Sequence, residues 1–449
     1  MMIRSLLIVM AIFLWGLAAG AIGATPASPP VRSQNVSPRH LALPLFLTKP
    51  ISNQIPNADQ LRRGQYLVRV GDCAACHTPE GGPPFAGSFG LNTPFGVIYS
   101  TNLTSDPETG IGALSADKFY ATLHDGIGPK GLPIYPAMPY TAFTRVSRAD
   151  SDAMLAYLKT VPAVHRVRPA NQLPFPLNMR FLLRGWNSLF FSSGNYIPDP
   201  GKSADWNRGA YIVNGLGHCG SCHTPKNFLG ADKTSKAFRG GNLDQWVAPD
   251  LTANARTGLG VWNVSDIVEY LKTGRNRHAN AGGPMADVVT NSTSLMSDRD
   301  LRAVAVYFKD QPAGPSGDMR DVDAGAMRRG KAIYSDVCAS CHMLEGGGQS
   351  RTFPPIAGNA MLQQDDPAGL IHLILAGGRT APTPSRPTAL SMPSFAWKLT
   401  DQQIADVSTY IRNNWGNHAE PVSAGAVAVL RKRLGLDVIR RTDNSGDSP

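Results

Sequence analysis

The 449-residue chain holds six cysteines, and they fall into three pairs with one spacing. Cys73-Ala74-Ala75-Cys76-His77, Cys219-Gly220-Ser221-Cys222-His223 and Cys338-Ala339-Ser340-Cys341-His342 each read C-x-x-C-H. This is the attachment pattern of a c-type haem. Two thiols add to the two vinyl groups of one porphyrin, the two-residue spacer suits their separation, and the next His lies under the iron. A redox dithiol would need a βαβ context and no following His; a zinc site would need further Cys or His nearby. No Cys is left over for a disulfide. Three covalent haem c groups are expected, on Cys73, Cys76, Cys219, Cys222, Cys338 and Cys341, with His77, His223 and His342 as proximal ligands.

An electron-carrying haem also needs a ligand on its other face. A thioether there raises the reduction potential and closes the iron to substrates. Met138, Met285 and Met392 sit in Tyr135-Pro-Ala-Met-Pro-Tyr140, Gly283-Pro-Met-Ala-Asp287 and Ser391-Met-Pro-Ser-Phe395. They follow the haem His by 61, 62 and 50 residues (77 to 138, 223 to 285, 342 to 392). All three read as Pro- or Gly-rich loops. Met154 and Met361 read as packing residues, and Met296 competes with Met285 for the second iron. His124, His165, His218, His278 and His372 have no regular placement and read as surface or structural. A proximal His usually donates its second ring N–H to a carbonyl. Phe353-Pro-Pro-Ile-Ala-Gly358 is placed to accept in the third repeat; the acceptors in the first two are not evident.

Each motif is approached and left in a similar way. Arg63-Gly-Gln-Tyr-Leu67 matches Arg208-Gly-Ala-Tyr-Ile212, and Arg329-Gly-Lys-Ala-Ile-Tyr334 is a shifted third version. Ser100–Thr104 with Thr109–Gly112 matches Ala248–Thr252 with Thr257–Gly260; the third repeat lacks this block. Helices are expected over Asp59–Gly71, Ser115–Asp125 and Val264–Thr273. Closing helices are expected over Asp150–Thr160, Ser297–Lys309 and Thr400–Asn414, begun by Asp, Ser or Thr caps. Crossed first and last helices around a haem describe a cytochrome c fold. The expected class is all-α: three tandem cytochrome c domains with Gly/Pro-rich loops, at 58–165, 205–312 and 324–420.

Composition agrees. Length suggests about three domains, and 45 Gly with 36 Pro suit loops that wrap a cofactor. Residues 1–24 read as a secretory signal, with Arg4, an apolar run and small-x-small Ala19-Gly20-Ala21. An uncleaved anchor is the alternative. Either reading puts the rest outside the cytoplasmic membrane, where bacteria attach haem c. A tether is expected over 25–57, an aromatic linker over 166–204, a short linker over 313–323 and a basic tail over 421–449. The linker, rich in Phe and Leu with Arg180 and Arg184, reads either as a helix packed on a neighbouring domain or as a face for a partner or membrane. Val422–Arg441 joins Val, Ala and Leu to Arg431, Lys432, Arg433, Arg440 and Arg441. It reads as a solvated tail or as an amphipathic helix on an anionic membrane. No apolar run after Glu420 is long enough to span a bilayer. The formal charge of +10 suits anionic lipid or an acidic partner. No nucleic-acid motif and no dinucleotide fingerprint is present.

Together, Gly71–Pro79, Tyr135–Tyr140, His218–Pro225, Tyr270–Gly274 and Gly283–Ala286 resemble a known family over residues 58–416. It is the three-haem cytochrome c subunit of membrane-bound periplasmic dehydrogenases of acetic acid bacteria and their relatives. The resemblance implies a catalytic dehydrogenase partner that oxidises alcohol, aldehyde, gluconate or sugar, with room for a further small subunit. It also implies delivery of electrons to membrane ubiquinone and peripheral attachment on the periplasmic face. The substrate chemistry would belong to the partner, not to this chain. Two alternatives are a multihaem peroxidase with one open iron and a free soluble carrier.

Overall fold

A computed structural model describes residues 47–243, 245–314 and 322–436. The signal segment, most of the tether, and Arg440 and Arg441 lie outside these.

Three helix pairs organise the chain. The first is α1 (Ala58–Val70), which runs into the Cys73–His77 turn, and α3 (Arg148–Leu158); between them lie the hairpin β1 (Gly90–Thr93)/β2 (Gly96–Tyr99) and α2 (Ala116–His124). The linker contributes α4 (Leu183–Phe190). The second pair is α5 (Ala204–Asn214) and α8 (Asp298–Lys309). It encloses β3 (Arg239–Leu243)/β4 (Trp246–Asp250), α6 (Val264–Thr273) and α7 (Pro284–Asn291). The third pair is α9 (Ala324–Ile333) and α11 (Asp401–Arg412), enclosing α10 (Ala368–Ala376) and β5 (Gly378–Arg379)/β6 (Ser391–Met392); α12 (Ala424–Arg433) follows. The three two-stranded antiparallel hairpins among the described residues are an addition to the all-α expectation. They are too short to carry a sheet-like sequence pattern.

Helix starts follow from local chemistry. Ser115, Ser147, Ser203, Asn263, Ser297 and Thr400 each accept a backbone N–H from three residues on, which satisfies a donor that the first turn leaves unpaired. The expected cap Asp150 is instead three residues inside α3. Its cap is Ser147, and the Asp150 carboxylate is used elsewhere.

The helices of each pair cross at a glycine. A Cβ at Gly64 would overlap the Ala153 carbonyl oxygen, one at Gly209 that of Ala303, and one at Gly330 that of Asp406. The Arg-Gly repeat seen in the sequence therefore marks the point of closest backbone approach. The first two pairs share one core, with Leu67, Val68, Met154, Leu158, Ile212, Val213 and Leu301 buried together. The third pair has its own, around Tyr334, Leu375, Ile404 and Val407.

The C-terminal reading needs correction. Val427 and Leu430 of α12 are buried in the third core. Arg431 is also buried: its Nε donates to Asp401 (2.7 Å), Nη1 to Ala396 O (2.9 Å) and Nη2 to Leu399 O (2.8 Å). Val427, Leu430 and Arg431 anchor this helix to the third core, so it does not hang free as a tail. The third unit continues past Glu420 to at least Leu436. Among the described residues no helix is long and apolar enough to cross a membrane.

Candidate haem-binding sites

Each C-x-x-C-H segment forms a helical turn: Cys73–His77, Gly220–His223 and Ala339–His342. Positions three apart share a helix face, so the two thiols of each turn project to one side and the His follows. No disulfide joins any of the six Cys. Burial pushes the Cys73 and Cys219 thiols up to about 12 and Cys338 up to about 11. Among the described residues no cluster of three His, Cys, Asp or Glu could hold a metal ion.

The three imidazoles are fixed alike. Nδ1 of His77 lies 2.7 Å from Thr101 O, that of His223 2.7 Å from Pro249 O, and that of His342 3.0 Å from Pro354 O. Burial holds all three below the usual histidine pKa, against the smaller opposing effect of the carbonyl bond. Each ring is therefore neutral, with Nδ1–H donating and Nε2 left as a lone pair for iron. Paired thiols and an adjacent imidazole held in this tautomer are the donor set a haem c requires. Pro354 lies in the segment expected to supply the acceptor. Thr101 and Pro249 were not foreseen, although they occupy the same place in the repeated blocks 100–104 and 248–252.

The candidate distal sulfurs have distinct settings. Met138 is half-buried against the shared core, in a tight turn where Met138 N–H donates to Tyr135 O (3.1 Å). Met392 is half-buried in β6, paired with Gly378. Its loop is pinned to the end of α10 by Phe395 N–H to Ile374 O (2.9 Å) and Ser394 Oγ to Leu375 O (2.5 Å). Met285 is half-buried, but it lies in the first turn of α7 and not in a loop as expected. Pro284 opens that helix and removes a donor that would have been unpaired there. Met154 and Met296 are almost completely buried among core side chains, the setting of packing residues. His278 stacks on Trp262, and His372 on Trp246, at ring distances of 5.1 and 3.9 Å. His218 stacks on Phe143. All three read as structural.

The sites are neighbours. α7 packs against the Cys73–His77 turn, and Ser292 Oγ donates to Val70 O (3.2 Å). The second and third units meet where Arg351 and Arg386 both pair with Glu269. Sequence reading also missed an exchange between the first two units. Arg63 and Arg208 pair with Asp150 and Asp300, while Tyr66 and Tyr211 reach across to the opposite carboxylate. The repeated Arg-Gly-x-Tyr was the available signal.

Residues 327–415 match the Cytochrome c family. The chain is 42% identical to the cytochrome c subunit of alcohol dehydrogenase (quinone) from Gluconobacter oxydans, over 83% of this chain and 82% of that one. It is 40% identical to the gluconate 2-dehydrogenase cytochrome c subunit of Pantoea cypripedii, over 83% and 89%. It is 37% identical to the fructose dehydrogenase cytochrome subunit of Gluconobacter japonicus, over 83% and 82%. With a haem c donor set in place and similarity running over most of its length, the chain belongs to the cytochrome c subunits of dehydrogenase complexes, which transfer electrons and leave substrate oxidation to another subunit.

Proposed function

We propose that this chain is a three-haem relay that takes electrons from a catalytic dehydrogenase subunit and delivers them to ubiquinone at the periplasmic face of the membrane. The observation that carries the reading is the threefold repetition of one donor set: two thiols on a helical turn and an imidazole fixed through Nδ1 to a backbone carbonyl. Each haem, when bound, supplies a one-electron Fe(III)/Fe(II) couple. The protein's part is to hold and orient. His77, His223 and His342 would ligate one face, and Met138, Met285 and Met392 the other. The domains would be cytochrome c units over 58–165, 205–312 and 324 to about 436.

The contact order supports a relay. The first unit packs on the second and the second on the third. The partner's substrate is an alcohol, a sugar or a sugar acid, by similarity to the relatives named above.

A pyridine haemochrome assay on the purified chain should count three haems. Adding the co-purified catalytic subunit with its substrate should then reduce them, and a short-chain ubiquinone should reoxidise them. Two or fewer haems would break the count. Full reduction without reoxidation by quinone would remove the proposed acceptor.

A further inference from the structure

α4 carries an apolar face that the rest of the chain leaves uncovered. Phe181, Gly185 and Leu189 recur every four residues, so they share one side of the helical segment. Phe181 and Leu189 are 55% and 65% exposed, and no residue of α4 is buried. The opposite side is tied down: Asn187 Oδ1 accepts from Tyr140 Oη (2.6 Å). The helix is therefore held with its apolar side outward.

Three hydrogen bonds bring further exposed apolar residues to its flanks. Arg180 Nε donates to Pro133 O (2.8 Å), beside exposed Leu132. Tyr135 Oη donates to Leu177 O (2.9 Å), two residues from exposed Phe175. Trp186 Nε1 donates to Leu229 O (3.0 Å), next to Phe228, which is 87% exposed. The first unit, the linker and the second unit thus each contribute to one aromatic surface. The linker that crosses it carries charge of one sign. From Arg166 to Pro198 the chain has four Arg and no Asp or Glu, and Arg184 is exposed beside the apolar stripe.

We infer that this surface rests in the interfacial layer of an anionic lipid bilayer, with α4 lying in the plane of the membrane. The inference rests on the membrane-peripheral reading above and gives it a location. Eight residues are far too few to span a bilayer. An apolar stripe flanked by Arg, with aromatic residues around it, is the composition of a helix seated among head groups. Arginine in a segment that carries no carboxylate complements an anionic leaflet. The other apolar helix that the sequence offered for this purpose, α12, spends Val427 and Leu430 on the third core.

The test uses the full haem-loaded chain and vesicles of mixed phosphatidylglycerol and phosphatidylcholine. The wild-type chain should co-sediment, and less so at high salt. Hydrogen exchange should slow across 180–191 when vesicles are added. Phe181→Ser with Leu189→Ser should lower vesicle partitioning about ten-fold or more. Haem content and thermal midpoint should not change, because both side chains are exposed. Unchanged partitioning in the double variant, with no protection of 180–191, would overturn the inference. So would protection of 180–191 by the catalytic subunit but not by vesicles, which would make the surface a protein interface. Haem count and reduction by the partner are read separately, so the relay can stand or fall by itself.

Discussion

Tyr66 Oη lies 2.6 Å from the Asp300 carboxylate, although the two residues belong to different helix pairs. The contact is reciprocated: Tyr211 Oη lies 2.5 Å from Asp150. Each carboxylate is also held by the arginine of its own pair. Arg208 Nε and Nη2 both donate to Asp300 at 2.8 Å, and Arg63 Nε donates to Asp150 at 2.7 Å. Even the accessory bonds correspond, since Ser297 N–H and Ser147 N–H donate to Tyr66 and Tyr211 at 3.2 Å. The first two units are thus related by a local pseudo-twofold, and their contact is polar and specific as well as apolar.

Tyr66→Phe should destabilise the joint core of the first two units by about 1.5–3 kcal/mol, the range for a hydrogen bond to a charged group. Denaturant unfolding followed by circular dichroism reads this. Loss near zero would mean that water replaces the hydroxyl without cost.

The same site responds to acid. Burial raises the Asp300 carboxyl pKa, but the Arg208 and Tyr66 bonds outweigh it and leave the group below its ordinary value. A carboxyl depressed in the fold contributes stability above its unfolded pKa of about 3.9, and that contribution is lost as pH falls through the folded value. Stability should therefore fall below about pH 4. Asp300→Asn should be less stable near neutrality and show a shallower acid limb.

His372 acts at a higher pH. It is buried against Trp246, its Nδ1–H donates to Gln245 O (3.2 Å), and burial lowers its pKa to about 4. Between the unfolded value of about 6.5 and that lowered value, the unfolded chain binds the extra proton. Stability of the contact between β4 and α10 should decline as pH falls through this window. His372→Gln should flatten the profile; an unchanged profile would show that the ring is hydrated.

Gly64→Ala, Gly209→Ala and Gly330→Ala each put a methyl into a facing carbonyl oxygen. Each should cost about 1–3 kcal/mol or more through forced separation of a helix pair. Haem-stained gels should show reduced holoprotein. Gly185→Ala, with open space at its Cβ, is the control and should be neutral.

The methionines divide into two classes. Met138→Ala, Met285→Ala and Met392→Ala should each convert one haem to high spin, visible in the ferric spectrum, with modest loss of stability. Met154→Ala and Met296→Ala should leave all haems low-spin and cost about 2–5 kcal/mol, because they empty core volume. A high-spin signal from Met296→Ala would exchange its role with that of Met285.

The attachment turns and helix pairs were legible because they depend on short-range chemistry. A two-residue spacer, an adjacent His and an Arg-Gly step are local and repeat three times. The acceptors Thr101 and Pro249 were not legible, because a carbonyl belongs to every residue and only the fold selects one. The Tyr66–Asp300 bond escaped for a related reason: Tyr66 was visible in a repeat, but Asp300 lies 234 positions away on an expected helix with nothing to mark it. α12 was not legible as part of the third unit because residues 422–433 suit a solvated or membrane-facing segment as well as a protein core; the buried Arg431 ties it to that core. Met285 entered a helix because Pro284 opens a first turn as readily as it breaks a later one.

The crossed tyrosines set the first two units apart from the third. Where the first two units have Tyr66 and Tyr211, the third has Ala332, and its Arg329 pairs instead with Asp406 one turn further along. A change at either tyrosine therefore touches a carboxylate of the neighbouring unit, so the first two units answer to each other's sequence. The third unit carries no such tie, and substitutions along its first helix stay its own affair.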